Sequence, residues 1–73
     1  MLFIELNLTV SRRHEHEMTR LLEKHNAHIE GTTYAEDRIK GELVRFNGWI
    51  RFNKYVKLLT YLDEHFKGAA FVI

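Results

Sequence analysis

Glu42–Phe52, with the sequence ELVRFNGWIRF, alternates between two kinds of side chain along its length. Successive side chains of a β-strand point to opposite faces of a sheet, so this alternation predicts a strand with two unlike faces. One face carries Val44, Phe46, Ile50 and Phe52, and the other carries Leu43, Arg45, Asn47, Trp49 and Arg51. The first face is typical of a core. The second presents a tryptophan and two arginines, and we interpret it as a binding surface.

A strand and a helix are predicted at the start of the chain. The strand has an alternating apolar series, which indicates one buried face: Leu2, Ile4, Leu6, Leu8 and Val10. Its other face carries Phe3, Glu5, Asn7 and Thr9. Ser11 then offers an N-cap for a helix that runs to about Asn26. The inward stripe of this helix is predicted to be Met18, Leu21, Leu22 and His25.

Ala27–Glu36 has a weaker strand pattern, and the polar segment Asp37–Gly41 joins it to Glu42–Phe52 as a hairpin. We expect Gly31 to mark a β-bulge. The predicted core side of this strand carries Ile29, Thr33 and Ala35. The predicted register sets Tyr34 opposite Leu43, Thr32 opposite Arg45, Glu30 opposite Asn47 and His28 opposite Trp49. It therefore places Tyr34 on the face that carries Trp49.

A second helix and a closing strand are predicted after the hairpin. Asn53 can cap the helix, whose apolar stripe consists of Tyr55, Leu59, Leu62 and Phe66, widened by Val56 and Leu58. Gly68 is predicted to end this helix, and residues 69–73, AAFVI, to form a strand. The chain is thus predicted to be a single α+β domain over residues 1–73. Its architecture is ferredoxin-like βαββαβ, a two-layer sandwich with a four-stranded antiparallel sheet and two helices on one face.

Composition limits the partners and the location that we expect. The chain has 73 residues, a formal net charge of +1 and no cysteine. The near-neutral charge provides no general attraction for polyanions, so any contact with nucleic acid must be local. No stretch approaches the roughly 20 apolar residues of a membrane span, and the first residues lack the basic region of a signal peptide. We therefore expect a cytoplasmic protein that does not act on membranes.

Two short motifs lie on the predicted first and third strands. Leu2, Phe3 and Ile4 match the start of one, while Arg45, Gly48, Trp49, Ile50 and Phe52 fit positions of the pattern K/R-G-F/Y-G/A-F-V-x-F/Y. On these residues the chain resembles the RNA recognition motif, whose open sheet stacks bases on aromatic side chains. Phe46 and Asn47 depart from the pattern, and Asn47 stands where a stacking aromatic would be. The resemblance implies single-stranded RNA binding through Phe3 and Trp49.

The histidines and carboxylates of Arg12–Glu17, RRHEHE, raise the question of a metal site, because both groups ligate zinc or nickel. On a helix, however, His14 and His16 would point about 200° apart. Farther along, His25 and His28 are expected to be a solvated pair. We predict neither a metal site nor a cofactor.

Catalytic groups are sparse. No cysteine is present as a nucleophile, and Ser11 is assigned to a cap. The predicted fold is similar to that of acylphosphatases, which use an arginine after the first strand and an asparagine on the sheet. Arg12 or Arg13 and Asn47 are the nearest candidates, but the glycine-rich phosphate cradle of that family is absent. We predict that the protein is not an enzyme.

A non-catalytic binding module is therefore the predicted function, acting through its open sheet face or an edge strand. Its partner-binding residues are predicted to be Phe3, Asn7, Tyr34, Arg45, Asn47, Trp49 and Arg51. The preferred partner is another protein, since tryptophan and arginine are typical hot-spot residues, and self-association to a homodimer is a second hypothesis. Such a module suits a regulator or inhibitor of the kind that phages and mobile elements encode. The sequence also leaves RNA binding and small-molecule sensing open.

Overall fold

A computed structural model describes residues 2–65 of the chain. Strand β1 spans Phe3–Ser11 and leads through a turn of 3₁₀-helix, Arg12–His14, into helix α1, Glu15–Lys24. Strands β2, His28–Asp37, and β3, Gly41–Arg51, form a hairpin, and helix α2 follows directly as Phe52–His65. The predicted order of elements is therefore confirmed as far as α2. The predictions for Phe66, Gly68 and the strand at residues 69–73 lie outside the described residues.

The three strands form an antiparallel sheet in the order β1-β3-β2. Both β1 and β2 pair antiparallel with β3, so they run parallel to each other with β3 between them. This arrangement agrees with the first three strands of the predicted ferredoxin-like fold, whereas the fourth predicted strand lies outside the described residues. The fold class is α+β, with both helices and three strands in the described chain.

A single core lies between the sheet and the helices. It combines the inward residues of β1 and β3 with those of both helices: Leu6, Leu8, Val10, Val44, Phe46, Ile50, Met18, Leu21, Leu22, Leu58 and Leu62. Because α1 and α2 contribute to the same cluster, they cover the same face of the sheet. The opposite face has no helix on it within residues 2–65. Neither of the described helices is long and apolar enough to cross a membrane.

The predicted start of α1 is wrong, whereas its inward stripe is largely confirmed. Ser11 ends β1 and makes no side-chain cap hydrogen bond, because the chain first forms the 3₁₀ turn. Met18, Leu21 and Leu22 are buried as predicted. His25 is only partly buried, and its Nδ1 lies 2.8 Å from the Leu21 carbonyl oxygen at the helix end.

The predicted start and stripe of α2 also need correction. The helix begins at Phe52, so Asn53 lies inside its first turn and is not the cap. Because Phe52 is the first residue of the helix and not part of β3, it does not follow the alternation of the strand. It is 48 % exposed, although the sequence predicts it in the core. The buried stripe runs through Leu58 and Leu62, while Leu59 is only partly buried.

The register of the hairpin differs from the predicted one by one residue after the bulge. His28 pairs with Trp49 as predicted, and the register shifts between Ile29 and Gly31, where the sequence predicts the bulge. Because the bulge inserts one residue into β2, Tyr34 pairs with Val44 and not with Leu43. The shift exchanges the faces of the rest of β2: Thr32 and Tyr34 face the helix side, and Thr33 and Ala35 face away from it.

The side chain of Asp37 organises the turn of the hairpin. Its Oδ1 accepts hydrogen bonds from the backbone N–H groups of Ile39, at 2.8 Å, and Lys40, at 2.9 Å. Gly41 completes the turn with a φ of 85°, which glycine adopts without strain. The hydrogen bonds from Lys40 and Ile39 lower the pKa of Asp37 below its ordinary value of 3.8.

This turn is expected to loosen only when the pH falls below the ordinary pKa of the Asp37 carboxyl group, 3.8. Because the carboxylate form is favoured in the folded state, its contribution is complete above the ordinary pKa and is lost as pH falls through the lowered one. Amide hydrogen exchange of Ile39 and Lys40 should accelerate in that range once the intrinsic pH dependence of exchange is removed. In an Asp37→Asn variant, whose amide oxygen can still accept, this acid transition should disappear. An identical acid transition in the variant would show that another group controls the turn.

Candidate functional site

The sheet face opposite the helices is the candidate site, and we call it the exposed sheet face. Its side chains come from alternate positions of the three strands, in register: Phe3, Glu5, Asn7 and Thr9 of β1, Arg45, Asn47, Trp49 and Arg51 of β3, and His28 and Thr33 of β2. Of the seven predicted partner-binding residues, the structure brings six together here. Tyr34 is the exception.

Aromatic and cationic side chains occupy one end of this face. Phe3 lies directly opposite Arg51, whose guanidinium carbon is 5.9 Å from the centre of the phenyl ring. Trp49 lies between Glu5 on β1 and His28 on β2. Phe3 is thus a diagonal neighbour of Trp49, and 52 % of Phe3 and 44 % of Trp49 are exposed. Two aromatic rings are available here for contact.

The centre of the face is a row formed by Asn7, Asn47 and Gly31. Asn7 donates a hydrogen bond from Nδ2 to Glu5 Oε1 at 3.1 Å. The Oδ1 atom of Asn47 is buried and has no hydrogen-bond partner among the described residues. A buried acceptor without a partner destabilises the structure that holds it, so such atoms call for an explanation.

A shallow depression of about 440 Å³ surrounds this central row. Its lining consists of Glu5, Asn7, Glu30, Arg45, Asn47, Gly48 and Trp49. Glu30 lies in the bulge of β2 and lines this depression, but it is not opposite Asn47 as predicted, because Gly31 takes that pairing. The depression combines carboxylates, a guanidinium, amides and an aromatic ring, so it suits polar contact more than the burial of an apolar ligand.

Charged groups of both signs on the exposed sheet face form no ion pairs with other described residues. The ion pairs formed among residues 2–65 involve Arg12, Glu15, Glu42, Glu64 and His65. None of them engages the charged residues of the face or of its depression, namely Glu5, Glu30, Arg45 and Arg51. Within residues 2–65, these four groups therefore have no ion-pair partner.

Tyr34 does not belong to the exposed sheet face, because the bulge in β2 turns it to the helix side. There its hydroxyl donates to Glu15 Oε2 at 2.6 Å, and the Arg12 guanidinium carbon lies 4.8 Å from the centre of its ring. Arg12 also reaches Glu42 Oε2 at 3.5 Å. The hydrogen bond to Glu15 raises the pKa of the Tyr34 phenol. Tyr34 thus links the hairpin to the start of α1.

The metal and catalytic candidates of the sequence have no assembled geometry within the described chain. Among residues 2–65, no group of three or more histidine, aspartate or glutamate side chains is placed to hold a metal ion. Arg12, an acylphosphatase-like candidate, contacts Tyr34 and Glu42 on the helix side, whereas Asn47 lies on the exposed sheet face. The structure therefore separates these two residues.

Sequence reasoning misses charged and polar members of this site. The alternation of β1 places Glu5 on the correct face, but its position directly opposite Trp49 follows from the register. Thr33 is predicted on the core side because the strand pattern does not include the effect of the bulge on the later residues of β2. The alternation of β1 is a sufficient signal for the face of Glu5, whereas the face of Thr33 depends on where the bulge falls, which the strand pattern alone does not specify.

Comparison with known proteins relates the chain to other proteins by fold. No family model and no curated protein matches it. A solved structure does match: CPII, a nitrogen regulatory PII-like protein from Thiomonas intermedia K12, bound to ADP, AMP and bicarbonate. The TM-score is 0.61 at 16 % sequence identity, and the match covers 99 % of this chain and 90 % of that one. At this identity the similarity demonstrates a shared fold.

Proposed function

We propose that this protein is a small, non-catalytic regulatory module that binds another protein through its exposed sheet face. The observation that carries the proposal is the half-exposed Trp49 on a face that no described helix covers. Around it stand charged groups of both signs that form no ion pair within the described part of the chain. Tryptophan and arginine are among the residue types most enriched at the centres of protein interfaces.

The supporting elements make this face well suited to contact. Its side chains stand on β-strands that are packed against the core, so binding requires little ordering of the backbone. CPII, the solved structure with a similar fold, is a nitrogen regulatory protein of similar size, which supports a regulatory role. That neighbour gives no support to the narrower interpretation of a phage or mobile-element inhibitor.

Small-molecule sensing is a second candidate function, favoured by the depression beside Trp49. The PII-like neighbour was solved with ADP, AMP and bicarbonate. In this chain, Trp49 offers a ring for stacking and Arg45 a cation for an anionic group. Saturable quenching of Trp49 fluorescence by ADP or AMP, abolished by Arg45→Gln, would support this candidate. Unchanged fluorescence up to millimolar nucleotide would exclude it.

Truncation of Trp49 is expected to remove protein binding. Immobilised wild-type protein is incubated with lysate of the source cells, and bound protein and nucleic acid are both identified. Trp49→Ala should lower the affinity for a captured protein by about 2 kcal/mol or more, as expected at a hot spot. Phe52→Ala is the matched control, because this aromatic is also about half-exposed but lies at the start of α2.

Equal losses in the two variants would contradict the proposal, as would capture that does not depend on Trp49. A labelled single-stranded RNA provides the second arm of the test. We expect the immobilised protein to retain no RNA at physiological ionic strength. Retention that falls steeply with salt and with Trp49→Ala would replace the protein partner with RNA, since both base stacking and phosphate contacts would then be lost.

A further inference from the structure

We infer that the protein bound at the exposed sheet face is a second copy of this chain, packed face to face about a twofold axis near Asn47. The inference rests on the proposed function and specifies its partner. Sheets that pack face to face lie about 10 Å apart with nearly aligned strands, so opposing rows of side chains can meet. The rows of this face are self-complementary in their hydrogen bonding, their charge and their aromatic content.

The central row supplies the hydrogen-bonding argument. Asn47 Oδ1 is buried and lacks a partner among the described residues. An asparagine amide carries an acceptor and two N–H donors. A twofold axis through this row sets the amide of the second copy against that of Asn47. Flipping one amide about χ2, which exchanges its oxygen and nitrogen, turns the buried oxygen outward, where the N–H group of the other copy can donate to it. A paired asparagine at an axis also fixes the register of two chains, as it does in coiled coils.

The rows on either side of Asn47 differ in charge. Arg45 stands between Thr9 and Thr33 in one row, and Trp49 stands between Glu5 and His28 in the other. A twofold axis perpendicular to the strands places each row over the unlike row of the second copy. Arg45 then lies over Trp49 of the second copy with Glu5 beside it, which combines a cation–π contact with opposite charge.

A twofold axis parallel to the strands is disfavoured by repulsion between like charges. It would set each row over the same row of the second copy, so that Arg45 would face Arg45 and Arg51 would face Arg51. Like charges placed together at an interface oppose association. The charge pattern therefore selects the perpendicular axis.

The size of the face predicts a weak dimer. Strands of 9 to 11 residues in a three-stranded sheet give a face of about 30 Å by about 14 Å. That is about half of the 800 Å² that each partner contributes to a standard interface. The two copies of Glu30 also approach each other across the axis. We therefore expect dissociation constants of tens of micromolar or weaker, and a tighter dimer for Glu30→Gln.

Sedimentation equilibrium of the pure protein tests the inference. From about 1 µM to about 1 mM, the mass of the wild type should rise from monomer to dimer. Arg45→Glu should raise the dissociation constant about tenfold or more, because it sets a carboxylate near Glu5 of the second copy. Arg13→Glu is the matched control: it makes the same charge change at an exposed residue of the 3₁₀ turn and should leave the constant unchanged.

A double charge exchange tests the register itself. Combining Arg45→Glu with Glu5→Arg restores opposite charges across the axis, so the double variant should regain most of the association that each single variant loses. Circular dichroism checks that every variant is folded. A wild type that stays monomeric throughout would overturn the inference, as would association insensitive to Arg45→Glu or unrestored in the double variant. The proposed function fails separately, because a monomer can still capture another protein in a Trp49-dependent way.

Discussion

Replacing Gly48 with alanine is expected to destabilise the protein by about 3 kcal/mol or more, at the upper end of what an added core methyl group costs. Gly48 is buried in β3, where the bulge of β2 brings the backbone of His28 and Ile29 close to it. A methyl group there would overlap the carbonyl oxygen of His28 and come within 3.0 Å of Ile29 Cα. Both obstacles are backbone atoms, so the strands themselves would have to separate.

Gly31 provides the matched control for this substitution. It lies on the far side of the same bulge, and a methyl group at this position would meet no atom within 4 Å. Gly31→Ala should therefore change the free energy of unfolding by less than about 1 kcal/mol. Urea denaturation of the two variants gives the comparison. Equal stabilities of the two variants would contradict the pairing of β2 with β3 in the register described here.

Leu58→Ala is expected to have the second large effect, a loss of about 2 to 5 kcal/mol. Leu58 is 1 % exposed and packs in the core cluster between α2 and the sheet. Truncation removes its apolar contacts and leaves a cavity that neighbouring residues fill only in part. Since a chain of this length is stabilised by about 4 to 10 kcal/mol in all, the variant should unfold at much lower temperature.

Alanine substitutions of Val56 and Leu59 test which face of α2 packs against the core. Val56 is half-exposed on the same helix, so Val56→Ala should change stability by about 0.5 kcal/mol or less. Leu59 is only partly buried, so Leu59→Ala should lower the free energy of unfolding by less than Leu58→Ala does. A larger loss at Leu59 than at Leu58 would restore the stripe predicted from the sequence and contradict the packing of α2 seen here.

The element order and most of the core could be predicted because they depend on local periodicity. Alternation in β1 and β3 identifies inward residues such as Leu6 and Ile50, and both are buried. The ends of the helices could not be predicted as well. Ser11 and Asn53 have good capping side chains, but tertiary packing sets the boundaries at a 3₁₀ turn and at Phe52. Local propensity is a weak guide where packing decides.

The candidate site could be predicted for β1 and β3 but not for all of β2. A strand without irregularities keeps its faces, so Phe3, Trp49 and Arg51 lie where the alternation places them. One extra residue at a bulge exchanges the faces of all later residues in the same strand. The sequence predicts the bulge near Gly31, yet its consequence for Tyr34 depends on which residue of β3 it faces, and a strand pattern alone does not specify that pairing.

Quenching of Trp49 fluorescence tests most directly the claim that the exposed sheet face is the binding surface. The chain contains one tryptophan, and this residue stands on that face with 44 % of it exposed. Acrylamide should therefore quench the free monomer efficiently. In a complex, whether with a captured protein or with a second copy at high concentration, the emission should shift to the blue and quenching should fall several-fold. Unchanged emission and quenching in a saturated complex would show that binding takes place elsewhere on the molecule.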